Sequence, residues 1–422
     1  MNERAWWWCG GWLAAAGWAW SFPLLSGLGP HRSWGWCAGV GYVAAALVAA
    51  GSRRLGLSVA VATAGSVVVP LLALVLTGRG QSEVTVIERS GALLLHTGTP
   101  YLDAPQAVEE YTPYLPGMAL FGLPRALLGP GPPGDARLWC AGVFLLCLVR
   151  CVPAGRRLRA GALVASPVVA LPLTVSGVDL PLTGLCLLAV VHAGGRRPVA
   201  AGAALAGACA LKWTAWPALA VVTALLAATA GRRAALRGAL VGAGGAALLV
   251  LPAALRSPGP LVQQVFAFPL GRGYLPTPAA SPLPGRLLAD LGPVGWCAAV
   301  GLLLAAGLAV AHSLLRHPPL DAAAAARRLA LGLAAAFLLA PAGRFGYLAL
   351  PLLLSLLAPS LNRGPSRSWA PLSSSPTTSR PARAASRPSS TPWPSAGPAT
   401  ASWSTPPRNR ARTVTTPHSP SP

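Results

Sequence analysis

The chain has 422 residues, of which 54% are apolar and only 10% charged, with 33 basic against 10 acidic side chains. Long apolar runs broken by short arginine clusters exclude a soluble domain, and the missing period-two alternation excludes a β-barrel. The net charge of +23 does not mark a nucleic-acid binder, because the arginines lie between apolar runs, where they orient helices, and in a C-terminal tail. The expected fold is an all-α polytopic membrane protein.

In chain order, Arg4 precedes a Trp-rich run over 5–28. No small-residue cleavage site follows it, so the run reads as a first spanning helix rather than a signal peptide. Arginine clusters then recur at Arg53 and Arg54, at Arg150 to Arg159, at Arg196 and Arg197, at Arg232 to Arg237, and at Arg316 to Arg328. Such clusters mark cytoplasmic loops. Between successive clusters the apolar runs pair as 5–28 with 35–51, 55–77 with 137–152, 160–176 with 180–195, 199–211 with 214–230, 238–255 with 292–315, and 328–341 with 345–359. That predicts a bundle of roughly 10–13 transmembrane helices, multi-pass in the plasma membrane, with both termini cytoplasmic. Runs 199–211 and 328–341 are too short to cross a core of ~30 Å alone and read as broken helices. Two long outer loops result, 78–136 and 256–291. The short apolar piece 115–128 has no partner crossing and reads as a re-entrant or interfacial helix.

The acids are one-sided in this topology. Glu83, Glu88, Asp103, Glu109, Glu110, Asp135, Asp179 and Asp290 fall outside, and Glu3 and Asp321 inside. Solvation of charge in longer outer loops explains much of this. The membrane domain is expected to cover 1–359. Residues 360–422, rich in Ser, Pro and Arg without hydrophobic periodicity, are expected to form a disordered cytoplasmic tail. The eight cysteines fall mostly in apolar runs, none in a CxxC pair, and read as buried free thiols. The scattered histidines suggest no metal site.

The acid-rich loop can be wound as a helix over 84–95, with Val84, Ile87, Gly91, Leu94 and Leu95 on one stripe and Arg89 and His96 opposite. Gly98 and Pro100 end it. Glu83 falls at its N-terminal boundary, where the dipole favours a carboxylate. Glu88 lies at the edge of the stripe. Five residues apart, the two are about 140° apart around the helix and form no glycosidase-like pair. Tyr111 and Tyr114 follow, suited to a membrane interface or to stacking on a sugar. In the second loop Gln263, Gln264, Arg272 and Tyr274 either line a groove or belong to a plain connection.

The order Glu83, amphipathic helix, Gly98, Pro100-Tyr101, then "YTPYLPG" before an apolar segment resembles the first outer loop of the GT-C superfamily of membrane glycosyltransferases. It is most similar to glycosyltransferase family 87, the polyprenyl-phosphate-mannose-dependent mannosyltransferase type. "ALKWTAWPALAV" and "APAGRFGYLALPLLL" resemble that family's Lys-containing helix break and closing helix. The resemblance spans most of 60–358 in order and hydropathy. Glu stands where the family more often has Asp, and "RFGY" stands where it often has a His-Tyr pair. The resemblance implies transfer of a hexosyl, specifically mannosyl, group from a polyprenyl-phosphate donor to a glycan or glycolipid acceptor on the outer face. No cofactor or metal is implied, and the lipid bilayer is the other partner.

The residues suit such chemistry on their own terms. One carboxylate, Glu83 or Glu88, would take the acceptor proton as C1 is attacked. Lys212 and Arg344, at outer helix ends, would meet the donor phosphate. Tyr101, Tyr111, Tyr114 and Asp179 complete the candidate substrate-binding set. Snorkelling of Lys212 and Arg344 to the interface is the plain alternative. A transporter or flippase of a lipid-linked substrate, and a catalytically inactive membrane protein, are the competing functions.

Overall fold

In a computed structural model of the chain, residues 3–52 and 54–361 are described, the side chains of residues 3 and 4 excepted. The tail expectation for 360–422 therefore lies almost entirely outside the described residues. Up to the second loop, the helices in chain order are α1 (Glu3–Leu25), α2 (Gly29–Gly51), α3 (Leu55–Thr63), α4 (Val69–Leu76), α5 (Ser82–Thr97), α6 (Leu123–Leu128), α7 (Ala136–Cys151), α8 (Arg157–Ala165), α9 (Pro167–Val175), α10 (Leu180–Gly194), α11 (Pro198–Leu211), α12 (Trp216–Ala230) and α13 (Arg232–Arg256). Then come α14 (Pro258–Leu261), α15 (Pro284–Ala289), α16 (Pro293–Arg316), α17 (Ala322–Leu339) and α18 (Ala349–Leu361). A π-helical turn, Ala64–Val68, joins α3 to α4. The protein is an all-α polytopic membrane protein.

Every apolar run paired above is helical over most of its length. Six helices among the described residues are long and apolar enough to cross a membrane: Gly29–Gly51, Leu55–Leu76, Trp213–Ala230, Arg232–Arg256, Pro293–Arg316 and Ala322–Leu339. Of the two runs expected to be broken, one is corrected. Residues 328–339 of that run belong to α17, an 18-residue helix that starts six residues earlier. The Asp321 carboxylate caps it, accepting from the Ala324 N–H at 2.7 Å, and the following alanines have high helix propensity. The α11 helix stays short, at 14 residues. Conversely, the run 160–176 is not continuous. It breaks at Ser166, whose extended backbone (φ −67°, ψ 149°) precedes Pro167. Proline disfavours a helical conformation in the residue before it and supplies no N–H. The freed Ala165 carbonyl accepts from Tyr42 Oη at 2.5 Å and Ser66 Oγ at 3.1 Å. Irregular backbone inside a membrane bundle needs such replacement donors.

The helices alternate in a way that places the site. Arg54, Arg150 to Arg159, Arg196 and Arg197, Arg232 and Arg233, and Arg316 to Arg328 all sit at one set of helix ends. The opposite ends carry the segments 78–136, 176–179, 212–215, 256–291 and 340–344. These segments are stitched together. The Gln81 N–H donates to Val175 O at 2.9 Å, Leu115 N–H to Leu211 O at 3.0 Å, and Gly343 N–H to Ala279 O at 2.9 Å.

Within 78–136, α5 follows the expected amphipathic helix and ends at Gly98 in the left-handed region (φ +74°). Its buried face is Val84, Val86, Ile87, Ser90 and Gly91, while Leu95 is 48% exposed. The apolar stripe is thus rotated from the expected one toward Ser90. The cause is packing against the short piece at 116–128, which folds as a 3-10 segment (Pro116–Phe121) and α6. A Cβ on Gly122 would lie 2.0 Å from Ile87 O, and one on Gly91 would lie 2.2 Å from Gly122 C. Only glycines admit so close a crossing.

Candidate functional site

Four segments distant in the chain converge at the loop end of the bundle. Glu83 stands in the first turn of α5, held there by the Gln81 backbone bond to Val175. Arg344 precedes a 3-10 turn (Phe345–Leu348) that leads into α18. That turn is pinned from the second loop: the Ser281 N–H donates to Gly343 O at 3.0 Å, and the Phe345 N–H to Ser281 Oγ at 3.3 Å. Lys212 sits in an extended residue (φ −158°, ψ 139°) between α11 and the 3-10 turn Trp213–Ala215. Asp179 precedes α10 in a turn that Gly177 allows (φ +71°), and its carboxylate caps nothing.

Their charges pair across these segments. Arg344 Nη1 donates to Glu83 Oε1 at 2.5 Å, and Lys212 Nζ to Asp179 Oδ1 at 2.9 Å. Two tyrosines link the pairs. Lys212 Nζ lies 4.8 Å from the ring centre of Tyr347 and 5.6 Å from that of Tyr114, within cation–π range. Tyr114 is buried, and its backbone carbonyl accepts from Tyr101 Oη at 2.9 Å. Burial, with Glu83 and Asp179 adding to it, pushes the Tyr114 hydroxyl well above the usual phenol range, so it stays an O–H donor. Near Glu83, the His31 ring nitrogen Nε2 lies 2.5 Å from the Gln81 amide. Lys212 and Glu83 are the more enclosed members, at 13% and 19% side-chain exposure, against 36% and 39% for Arg344 and Asp179.

Glu83, Lys212, Arg344, Tyr114 and Asp179 are therefore neighbours, and Tyr101 supports them from behind. Glu88 and Tyr111 are not of the group. Glu88 pairs with Arg125 at 3.5 Å and accepts from the Ala136 N–H at 3.3 Å, at the N-terminus of α7. Burial pushes its carboxyl above the ordinary carboxylate value. Beside it Arg137, buried, holds Asp135 at 2.6 Å. Tyr111 stacks on Phe268 at 4.1 Å between centroids. There the two loops are clasped by Gln264, whose side chain accepts from the Thr112 N–H at 2.9 Å and donates to Leu102 O at 2.6 Å. Gln264 is thus a tie between loops. Tyr274 is 86% exposed, and Arg272 lies over the Trp296 ring.

Two neighbours of the site escaped the sequence reading. Tyr347 had a local signal, since "RFGY" in one 3-10 turn brings Arg344 and Tyr347 within a turn of each other. His31 had none, because α2 reaches the site only through tertiary packing. The five Arg- or Lys-to-carboxylate pairs among the described residues all lie at this end.

Fold and site define a polytopic helical membrane protein with a cluster of paired charges at one end of its bundle. No protein-family model matches the sequence, and neither a curated protein nor a solved structure matches it.

Proposed function

We propose that this protein is a membrane glycosyltransferase of GT-C type, moving a hexosyl group, mannosyl by the resemblance, from a polyprenyl-phosphate donor to an acceptor hydroxyl on the outer membrane face. The observation that carries this reading is the gathering, around the buried Tyr114, of a carboxylate, Glu83, paired with Arg344 and of a second cation, Lys212, paired with Asp179. Inverting transfer needs those parts. The acceptor oxygen attacks C1 and its proton passes to Glu83, while the C1–O bond to phosphate breaks and the phosphate keeps the electron pair. Lys212 and Arg344 stabilise the anionic leaving group. The siting of the cluster away from the arginine-rich helix ends supports an outward face. Glu83 is preferred to Glu88 as base because Glu83 shares its site with Arg344, Tyr114 and the Lys212–Asp179 pair, whereas Glu88 stands apart with Arg125 at the start of α7.

The transporter alternative would favour charged groups at mid-depth. The helix break at Ser166 instead gathers Tyr42, Ser66 and Trp34, none of them charged.

The test is incubation of membranes with labelled polyprenyl-phosphate mannose. Wild type is expected to transfer label, and Glu83→Gln to lose about a hundredfold or more of the rate, the usual scale of general-base catalysis. Absence of transfer from several lipid-linked sugars would sink the proposal.

A further inference from the structure

Both cations of the site already have carboxylate partners: Arg344 holds Glu83 at 2.5 Å and Lys212 holds Asp179 at 2.9 Å. In the first pair the guanidinium occupies Glu83 Oε1, the position an acceptor hydroxyl would need. The backbones carrying these side chains are tied by Gln81 to Val175 and by Gly343 and Phe345 to the 279–281 segment. Change at the site is therefore an exchange of side-chain partners. Arg344, 36% exposed, is the cation that an incoming group meets more readily than the enclosed Lys212.

We propose that a phosphoryl anion entering beside Lys212 and Arg344 takes the guanidinium from Glu83, so that anion binding is coupled to proton uptake by Glu83. This rests on the donor reading of the same site and adds how the base becomes active. The charge count supports it. Lys212 and Arg344 balance Glu83 and Asp179, so a monoanionic phosphodiester leaves one negative charge in excess. A proton on Glu83 restores neutrality where burial makes uncompensated charge costly. In turnover that proton is the acceptor hydroxyl's; in binding without acceptor it comes from buffer. A Glu83 protonated from buffer cannot act as the base, so the acceptor hydroxyl has to be in place when the donor binds, and Glu83 stays paired with Arg344 when no donor is present.

The charged neighbours are few. Around Glu83 stand His31 from α2, Tyr114 from the loop, and Arg344 with Tyr347 before α18; Lys212 and Asp179 lie beyond the tyrosines. Further along α5, Glu88 with Arg125, Asp135 and Arg137 forms a separate group, and Arg89 binds Glu109 O and Glu110 O. His31 is the imidazole beside Glu83 and is the control for proton uptake by a second side chain.

The experiment is calorimetric titration of detergent-solubilised full-length protein with a short prenyl methyl phosphodiester, whose phosphate does not titrate near neutral pH. Runs in two buffers of different ionisation heat count the protons taken up. Wild type and His31→Asn should take up protons, and wild-type affinity should rise by up to about tenfold per pH unit lowered. Glu83→Gln should bind with no uptake, and Glu83→Asp should retain uptake, guarding against a misfolded Gln variant. Dimethyl phosphate distinguishes the source: coupled binding of it alone identifies a free-anion site, and its failure beside a binding prenyl diester identifies a lipid head group. Binding without uptake, uptake that persists in Glu83→Gln or disappears in His31→Asn, or no binding of either diester overturns the proposal. Sugar transfer without coupled binding would defeat this inference alone, and coupled binding without transfer would defeat the transferase reading alone.

Discussion

At the residue scale, the two glutamates of α5 have different fates although both come from one helix. Glu83 meets Arg344 from the far end of the chain, whereas Glu88 turns toward Arg125 and the start of α7. Burial is the largest influence on Glu88 and raises its carboxyl. A raised carboxyl in the folded state means that folding is favoured by protonation. That contribution is whole below the ordinary carboxylate value and is lost as pH rises through the raised one. Glu88→Gln mimics the neutral form. Its melting temperature relative to wild type is therefore expected to climb as pH rises from about 4 toward 7, then level off. Thermal melts in detergent across that range check this, and a relative value that falls with pH would show that the Arg125 pair outweighs burial.

At the element scale, the loops are built structures. The α5 helix was readable because its Val84, Ile87 and Gly91 repeat at helical spacing and Gly98 can take a positive φ. Its rotation toward Ser90 was not readable, since that depends on the glycine crossing with 116–128. The clasp by Gln264 was equally hidden. A glutamine in a Pro-rich loop gives no sign that it satisfies the Thr112 N–H and Leu102 carbonyl across more than 150 residues of chain. Gln264→Ala leaves the buried Thr112 amide unpaired, a loss of roughly 1–3 kcal/mol. Hydrogen exchange should quicken at 99–118 while the bundle helices keep their protection. Unchanged exchange in that segment would remove the clasp from the account.

At the scale of the whole molecule, the arginine clusters at one set of helix ends and the ion-paired loops at the other imply a sidedness that can be measured. In intact cells, with exposed Cys297 replaced by serine, a membrane-impermeant maleimide is expected to label Tyr274→Cys, in the second loop, and to spare Gly155→Cys, among the arginines. The reverse pattern would put the site on the cytoplasmic face and remove the outward donor from the proposed function.

Hydropathy and arginine placement by themselves determined that this is an all-α polytopic membrane protein, which stretches of it are mainly helical, and that its acids gather beside one long loop. Those properties follow from local physics: twenty apolar residues must satisfy their own backbone in lipid, and charge must leave it. Only the tertiary structure decided which acid meets which cation. Glu83 and Arg344 are 261 residues apart in sequence and Lys212 and Asp179 are 33 apart. No local pattern encodes such pairings, because the direction in which each helix end presents its side chain depends on packing against neighbours that come from elsewhere in the chain.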